Sequence, residues 1–173
     1  GANLFLQERA KKVSVCEDDV PPIDTVLVVG AGVMGAGIAQ WSAARGKRVI
    51  LKDINTDALQ KGMAAIGKVF KDAVKRHVFT KTEAQTALDH IYPTARDVPF
   101  KDVDIIIEAA TENMALKKKI FAGLDAAAGP QTILATNTSA LSISELAETT
   151  SDPGRVVGIH YFNPVHKMQL VEV

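Results

Sequence analysis

The 173-residue sequence holds a single cysteine, Cys16, so no internal disulfide can form and a reducing compartment is expected. It has no net charge: Lys plus Arg number 20, as do Asp plus Glu. That balance argues against a global field for nucleic acid or for a membrane surface. No apolar run approaches membrane length, so no membrane span is expected. The first residues show no signal-peptide pattern, and with the lone cysteine this sets the expectation of a cytoplasmic protein. Internal repeats and low-complexity tracts are also missing. His77 and His90 have no neighbouring ligand pattern; both are read as ordinary surface residues, and no metal site is expected.

What is present is enough apolar material, 47% of residues, to bury the core of one good-sized domain. The chain is organised around Val26 to Asp53. An apolar run, Val26 to Val29, enters the turn Gly30-Ala31-Gly32-Val33-Met34-Gly35, a helical run follows from Ala36 to Arg45, and Gly46 breaks it. A second apolar run, Val49 to Leu51, ends in Lys52-Asp53. Strand, glycine turn, helix, strand and acid is the context a dinucleotide requires. Gly30 permits the tight turn, Gly32 lets a pyrophosphate approach the backbone, and Gly35 lets the helix pack closely on the strand. The helix N-terminus offers unpaired N–H groups to the anion, which places Val33 and Met34 among the cofactor-binding residues. Asp53 can accept both hydroxyls of an adenosine ribose and repels a 2′-phosphate, while Lys52 on the strand should face the other way. NAD is therefore expected over NADP.

Residues 1–24 read as a lead-in: a short helix around Phe5 to Lys12, then an extended linker from Cys16 through Pro21-Pro22 to Asp24. Residues 25–173 read as one Rossmann-type domain. Leu59, Met63, Ile66, Phe70, Val74 and Val78 form one helical stripe, with Asn55 or Thr56 as N-cap. Thr80 to Glu83 fits a capping box for a second helix ending near Leu88, so a helical hairpin is inserted after the second strand. Ile91-Tyr92-Pro93 is a short strand, and Val103 to Ala109 is a strand covered on both faces, with Glu108 in a structural role. A helix over 113–128 turns Leu116, Ile120, Phe121 and Leu124 inward. Thr132 to Ala135 is a strand, Ser142 and Glu145 suggest another capping box, Val156 to Tyr161 is a strand, and Met168 to Val173 is the last. The alternation predicts an α/β, doubly wound, mostly parallel sheet. Gly30 to Gly35, Asp53, Ala109 to Glu112, Asn137 to Ser139 and His160 then fall at strand C-termini and should line one crevice.

With His160-Tyr161-Phe162-Asn163-Pro164 in view, the sequence resembles the L-3-hydroxyacyl-CoA dehydrogenase family. Gly30 to Gln40, Glu108 to Asn113, Asn137 to Leu141, Gly158 to Pro164 and Leu170 to Val173 carry the resemblance, in family order. It implies that His160 is the general base of an NAD-dependent oxidation of L-3-hydroxyacyl-CoA in fatty-acid β-oxidation, with Glu172 orienting it and Ser139 bonding the reacting oxygen. It implies that Glu112, Lys117 and Asn137 surround the nicotinamide half of the cofactor. Family members continue past the position of Val173 into a helical domain with dimer contacts and much of the acyl-CoA surface. The lead-in resembles the junction that follows an enoyl-CoA hydratase module in multifunctional enzymes. An excised piece, inactive alone, of a homo-oligomer or multifunctional complex is expected. Other readings stay open: a 3-hydroxyacid dehydrogenase with a lysine base, or a non-catalytic NAD-binding module.

Overall fold

Strand β1 (Thr25–Val29) splits its side chains between two cores. Val26 and Val28 face one apolar cluster and Leu27 and Val29 the other, as the two-residue repeat of a strand dictates. A strand buried on both faces needs cover on both, and helices supply it. The computed structural model describes residues 21–97 and 99–173. Most of the lead-in, including Phe5 to Lys12 and Cys16, lies outside the described residues.

After β1 come α1 (Val33–Ala43), β2 (Arg48–Lys52), α2 (Thr56–Lys75), α3 (Lys81–Asp89), β3 (Ile91–Thr94) and β4 (Ile105–Glu108). Then follow α4 (Met114–Ala127), β5 (Ile133–Thr136), α5 (Ile143–Ala147), a short 3-10 turn, β6 (Val156–Gly158), β7 (His160–Tyr161) and β8 (Val171–Glu172). Six strands form one parallel sheet in the order β3-β2-β1-β4-β5-β6. The order reverses between β1 and β4, the switch point where such sheets open a crevice. The expected doubly wound fold is present. Among the described residues, no helix is long and apolar enough to cross a membrane.

The helical hairpin stands where the stripe placed it. Asn55 caps α2 by accepting from Asp57 and Ala58, and Thr80 and Glu83 form a reciprocal capping box on α3. Leu59, Ile66 and Phe70 are buried, but Val78 is not: the helix stops at Lys75, and Val78 is exposed. The stop is a Schellman arrangement, with Val78 N–H on Ala73 O and His77 N–H on Val74 O. His77 takes the left-handed position, φ 58°, usually given to glycine.

Five further expectations are corrected. On α4, Leu116 is exposed and Lys117 is buried in its place, because a buried carboxylate awaits the lysine. Val156 to Tyr161 is not one strand: Ile159 N–H bonds Thr136 O, and the chain then leaves the sheet. The last strand shrinks to Val171–Glu172, which pairs antiparallel with β7 in a separate two-stranded sheet. Ser142 caps α5 through Glu145 N–H, but the Glu145 carboxylate is held by Lys118. His90, expected on the surface, is half-buried as the C-cap of α3.

Candidate active site

The glycine turn is built by contacts that only glycine tolerates. Gly30 has φ +101°, and a Cβ there would sit 2.7 Å from Ala110 Cα, so the ends of β1 and β4 meet without side chains between them. A Cβ on Gly35 would fall 1.8 Å from Gly30 O, which lets α1 start directly against the turn. The helix begins at Val33, earlier than the expected Ala36, so Val33, Met34 and Gly35 form its first turn. Gly32 is the N-cap and supplies no side-chain cap, and the first turn holds no acid. The first N–H groups of a helix lack intrahelical partners, and a Cβ on Gly32 would meet nothing within 4 Å. This open, donor-rich seat fits a pyrophosphate.

Asp53 follows β2 and braces the turn. Its Oδ2 accepts Ala31 N–H at 2.8 Å and its Oδ1 accepts Asn55 N–H at 2.9 Å. The adjacent cation is occupied elsewhere: Lys52 Nζ lies 2.7 Å from Asp97 Oδ1 and donates to Arg96 O at 3.1 Å.

At the ends of β4 and β5 the site is stitched by charge. Glu108 is fully buried; it accepts from Lys117 Nζ, from Thr136 Oγ1 at 2.8 Å and from Ala110 N–H at 2.8 Å. Glu112 accepts from the Thr138 hydroxyl and from Ser139 N–H at 3.2 Å, clamping the loop after β5. Burial pushes the Glu112 carboxyl up. The hydrogen bonds from Thr138 and Ser139 and the charge of Lys117 outweigh that and hold it below the usual range. Asn137 Oδ1 accepts Tyr161 N–H at 2.9 Å, tying β5 to β7.

His160 and Glu172 face each other in register across β7 and β8, with Nδ1 3.0 Å from Oε2. Phe162 packs edge-on to His160 with ring centroids 4.5 Å apart. Tyr161 is buried edge-on against Trp41 at 5.6 Å, and Arg45 stacks on the other ring, 3.6 Å from its centroid. These contacts hold a two-residue strand that has left the main sheet. Burial also pushes the Tyr161 hydroxyl pKa up.

The crevice is divided into two hollows. One, of about 420 Å³, is lined by Met34, Ala109 to Glu112, Lys117, Asn137, Ser139 and His160 to Asn163. The other, of about 430 Å³, lies beside Gly32 and Val33, between α1 and α2, and Asn163 borders both. Asp53 lines neither; it reaches the site through Ala31. His160, Ser139, Glu112, Lys117 and Asn137 are thus gathered in one place, with Glu172 behind His160.

The sequence did not single out Thr136 or Trp41, and it showed Thr138 and Tyr161 only within motifs, with no role of their own. The one local signal was a carboxylate, Glu108, closing an otherwise apolar strand, which demands a buried partner.

A family described as "3-hydroxyacyl-CoA dehydrogenase, NAD binding domain" matches residues 25–173. The fatty acid oxidation complex subunit alpha of Idiomarina loihiensis is 40% identical over 173 residues, 98% of this chain. That alignment spans 24% of the relative's own length, so this chain corresponds to about a quarter of it. Among solved structures, (S)-3-hydroxybutyryl-CoA dehydrogenase from Ralstonia eutropha is 43% identical with a TM-score of 0.84, over 87% of this chain and 53% of that one. The dehydrogenase part of multifunctional enzyme 1 from C. elegans is 25% identical with a TM-score of 0.80, over 98% of this chain and 41% of that one. With the glycine turn, the bracing aspartate and the doubly wound sheet in place, the chain belongs to the 3-hydroxyacyl-CoA dehydrogenase family, as its NAD-binding domain.

Proposed function

We propose that the whole protein oxidises L-3-hydroxyacyl-CoA to 3-ketoacyl-CoA in fatty-acid β-oxidation, and that this domain supplies the catalytic base beside the cofactor. The observation that carries this reading is the His160–Glu172 pair on the rim of the 420 Å³ hollow. A carboxylate only accepts, so Glu172 keeps the ring proton on Nδ1 and leaves the Nε2 lone pair free. Nε2 takes the hydroxyl proton of the substrate as its carbonyl forms. Glu172 stabilises the imidazolium that results, the logic of the acid in a serine-protease triad. NAD, when bound, accepts the hydride. Ser139 donates its hydroxyl to the reacting oxygen, and Glu112 fixes the loop that carries it. Asp53 binds the ribose, and Gly30, Gly32, Val33, Met34 and Gly35 seat the pyrophosphate. Asn137 and Lys117 border the nicotinamide end. Lys117 is buried and held by Glu108, Thr136 and the nearby Glu112 carboxylate, which speaks against a lysine base in this hollow.

The acyl-CoA surface is completed by further chain, and the whole protein works in the cytoplasm as a homo-oligomer or within a complex. The name of the Idiomarina relative, a complex subunit, supports the assembly. The test is steady-state turnover of acetoacetyl-CoA with NADH by the whole protein. Glu172→Gln lowers kcat by about 100-fold or more and leaves NADH affinity unchanged. Wild-type turnover in that variant removes the pair from the mechanism.

A further inference from the structure

Glu108 and Lys117 form a buried ion pair that the reaction above does not use. They are 0% and 1% exposed. Replacing such a pair with apolar side chains often leaves stability unchanged or raises it, so stability alone does not explain its place here. Its position is informative. Lys117 and Glu112 both line the 420 Å³ hollow, and Lys117 Nζ lies 4.0 Å from Glu112 Oε2. One ammonium and two carboxylates give the set a net charge of −1.

The set is also rigid. Glu108 accepts from Lys117, Thr136 and Ala110, and Glu112 accepts from Thr138 and Ser139. Fixed charges act on a ligand without having to reorient, and the buried Glu108–Lys117 pair acts more strongly than it would in water, while Glu112 is half-exposed. The cofactor differs between its two forms in the feature such a field reads. The nicotinamide ring is a cation in NAD+ and neutral in NADH.

We propose that Glu108, Lys117 and Glu112 act as a fixed charge set that biases the hollow toward the oxidised cofactor, making Glu108 a specificity-determining residue although it lies beneath the surface. This rests on the reading that the hollow takes the nicotinamide end. A merely structural role would move the affinities for NAD+ and NADH together. A charge role moves their ratio.

The experiment titrates NAD+ and NADH against the protein at fixed ionic strength and follows the ratio of the two dissociation constants, NAD+ over NADH. Glu108→Gln brings the set to zero and raises the ratio about tenfold, or about 1.4 kcal/mol. Lys117→Met leaves Glu108 buried without its cation; such a carboxyl takes up a proton, so the set stays near −1 and the ratio within about twofold of wild type. The double variant restores −1 and returns the ratio to within about twofold of wild type. Glu112→Gln also gives zero, keeps its acceptor oxygen and leaves the buried pair intact. It supplies the same comparison if either single core variant does not fold. A constant ratio across the folded variants, with both cofactors still bound, overturns the charge role and leaves the cofactor reading standing. Loss of binding of both forms in the wild-type protein overturns both.

Discussion

Gly62 on α2 tests whether the glycine turn is braced from outside as well as from within. A Cβ built on Gly62 lies 2.8 Å from Ala31 O and 3.3 Å from Ala31 Cβ. Neither is the loose end of a long side chain, so Gly62→Ala must shift α2 or the turn. The turn is held on its other side, since Ala31 N–H is bound by Asp53. Replacing a helix-interior glycine by alanine is worth about 1 kcal/mol on its own. Overpacking a tight contact costs about 1–3 kcal/mol. The net expectation for Gly62→Ala is a loss of about 0–2 kcal/mol, and one kcal/mol moves Tm by about 2–4 °C at this size. Gly67 is the internal control. It lies in the same helix, and a Cβ there meets nothing within 4 Å, so Gly67→Ala keeps the full gain and raises Tm. The displaced turn also weakens NADH binding about fivefold in Gly62→Ala, close to 1 kcal/mol, whereas Gly67→Ala binds as wild type. Thermal denaturation followed by circular dichroism and a fluorescence titration with NADH read both effects. The reasoning is refuted if Gly62→Ala raises Tm as much as Gly67→Ala and binds NADH like wild type.

Other outcomes follow from single contacts. His77→Gly removes a left-handed non-glycine residue from the end of α2 and should stabilise the fold by about 1 kcal/mol, read as a rise in Tm. NADPH should bind at least about tenfold more weakly than NADH, and Asp53→Ala should narrow the gap; equal affinities in the wild type would contradict the role of Asp53. Burial raises the Asp125 carboxyl, but hydrogen bonds from Ser151 and Arg155 outweigh it and hold it low. Its contribution to stability is therefore complete above its unfolded pKa, about 4, and is lost as pH falls through its lower folded value. Asp125→Asn should flatten that acid limb in denaturation curves taken from neutral pH downward, and an unchanged limb would show that the carboxylate contributes nothing.

The parts of the fold legible in sequence were those whose physics is local. A glycine turn between two apolar runs states its own demands, and so does a stripe bounded by Asn55 and by the Thr80–Glu83 box. The errors came where the deciding feature leaves no mark in the local pattern. Periodicity turned Leu116 inward because a lysine is ordinarily solvated; Glu108, nine residues earlier on another element, reverses that choice. The stripe ran on to Val78 because His77 gives no glycine signal for the stop. Val156 to Ile159 carries no polar side chain, and nothing in the run to Tyr161 tells that Tyr161 N–H will bond an asparagine side chain instead of a neighbouring strand. His160 and Glu172 could be paired only through the family resemblance, since a spacing of twelve residues has no meaning until β7 and β8 are known to be antiparallel.

His160 is the proposed base beside the cofactor that this domain holds. The most direct measurement takes the whole protein with His160→Ala and determines kcat for acetoacetyl-CoA and the NADH dissociation constant side by side. In this variant kcat falls by about 100- to 10,000-fold, the range of general acid–base catalysis, while NADH binds within about twofold of wild type, because the base acts mainly in the transition state. A variant that keeps wild-type turnover, or one whose lost turnover is matched by an equal loss of NADH affinity, would contradict that role.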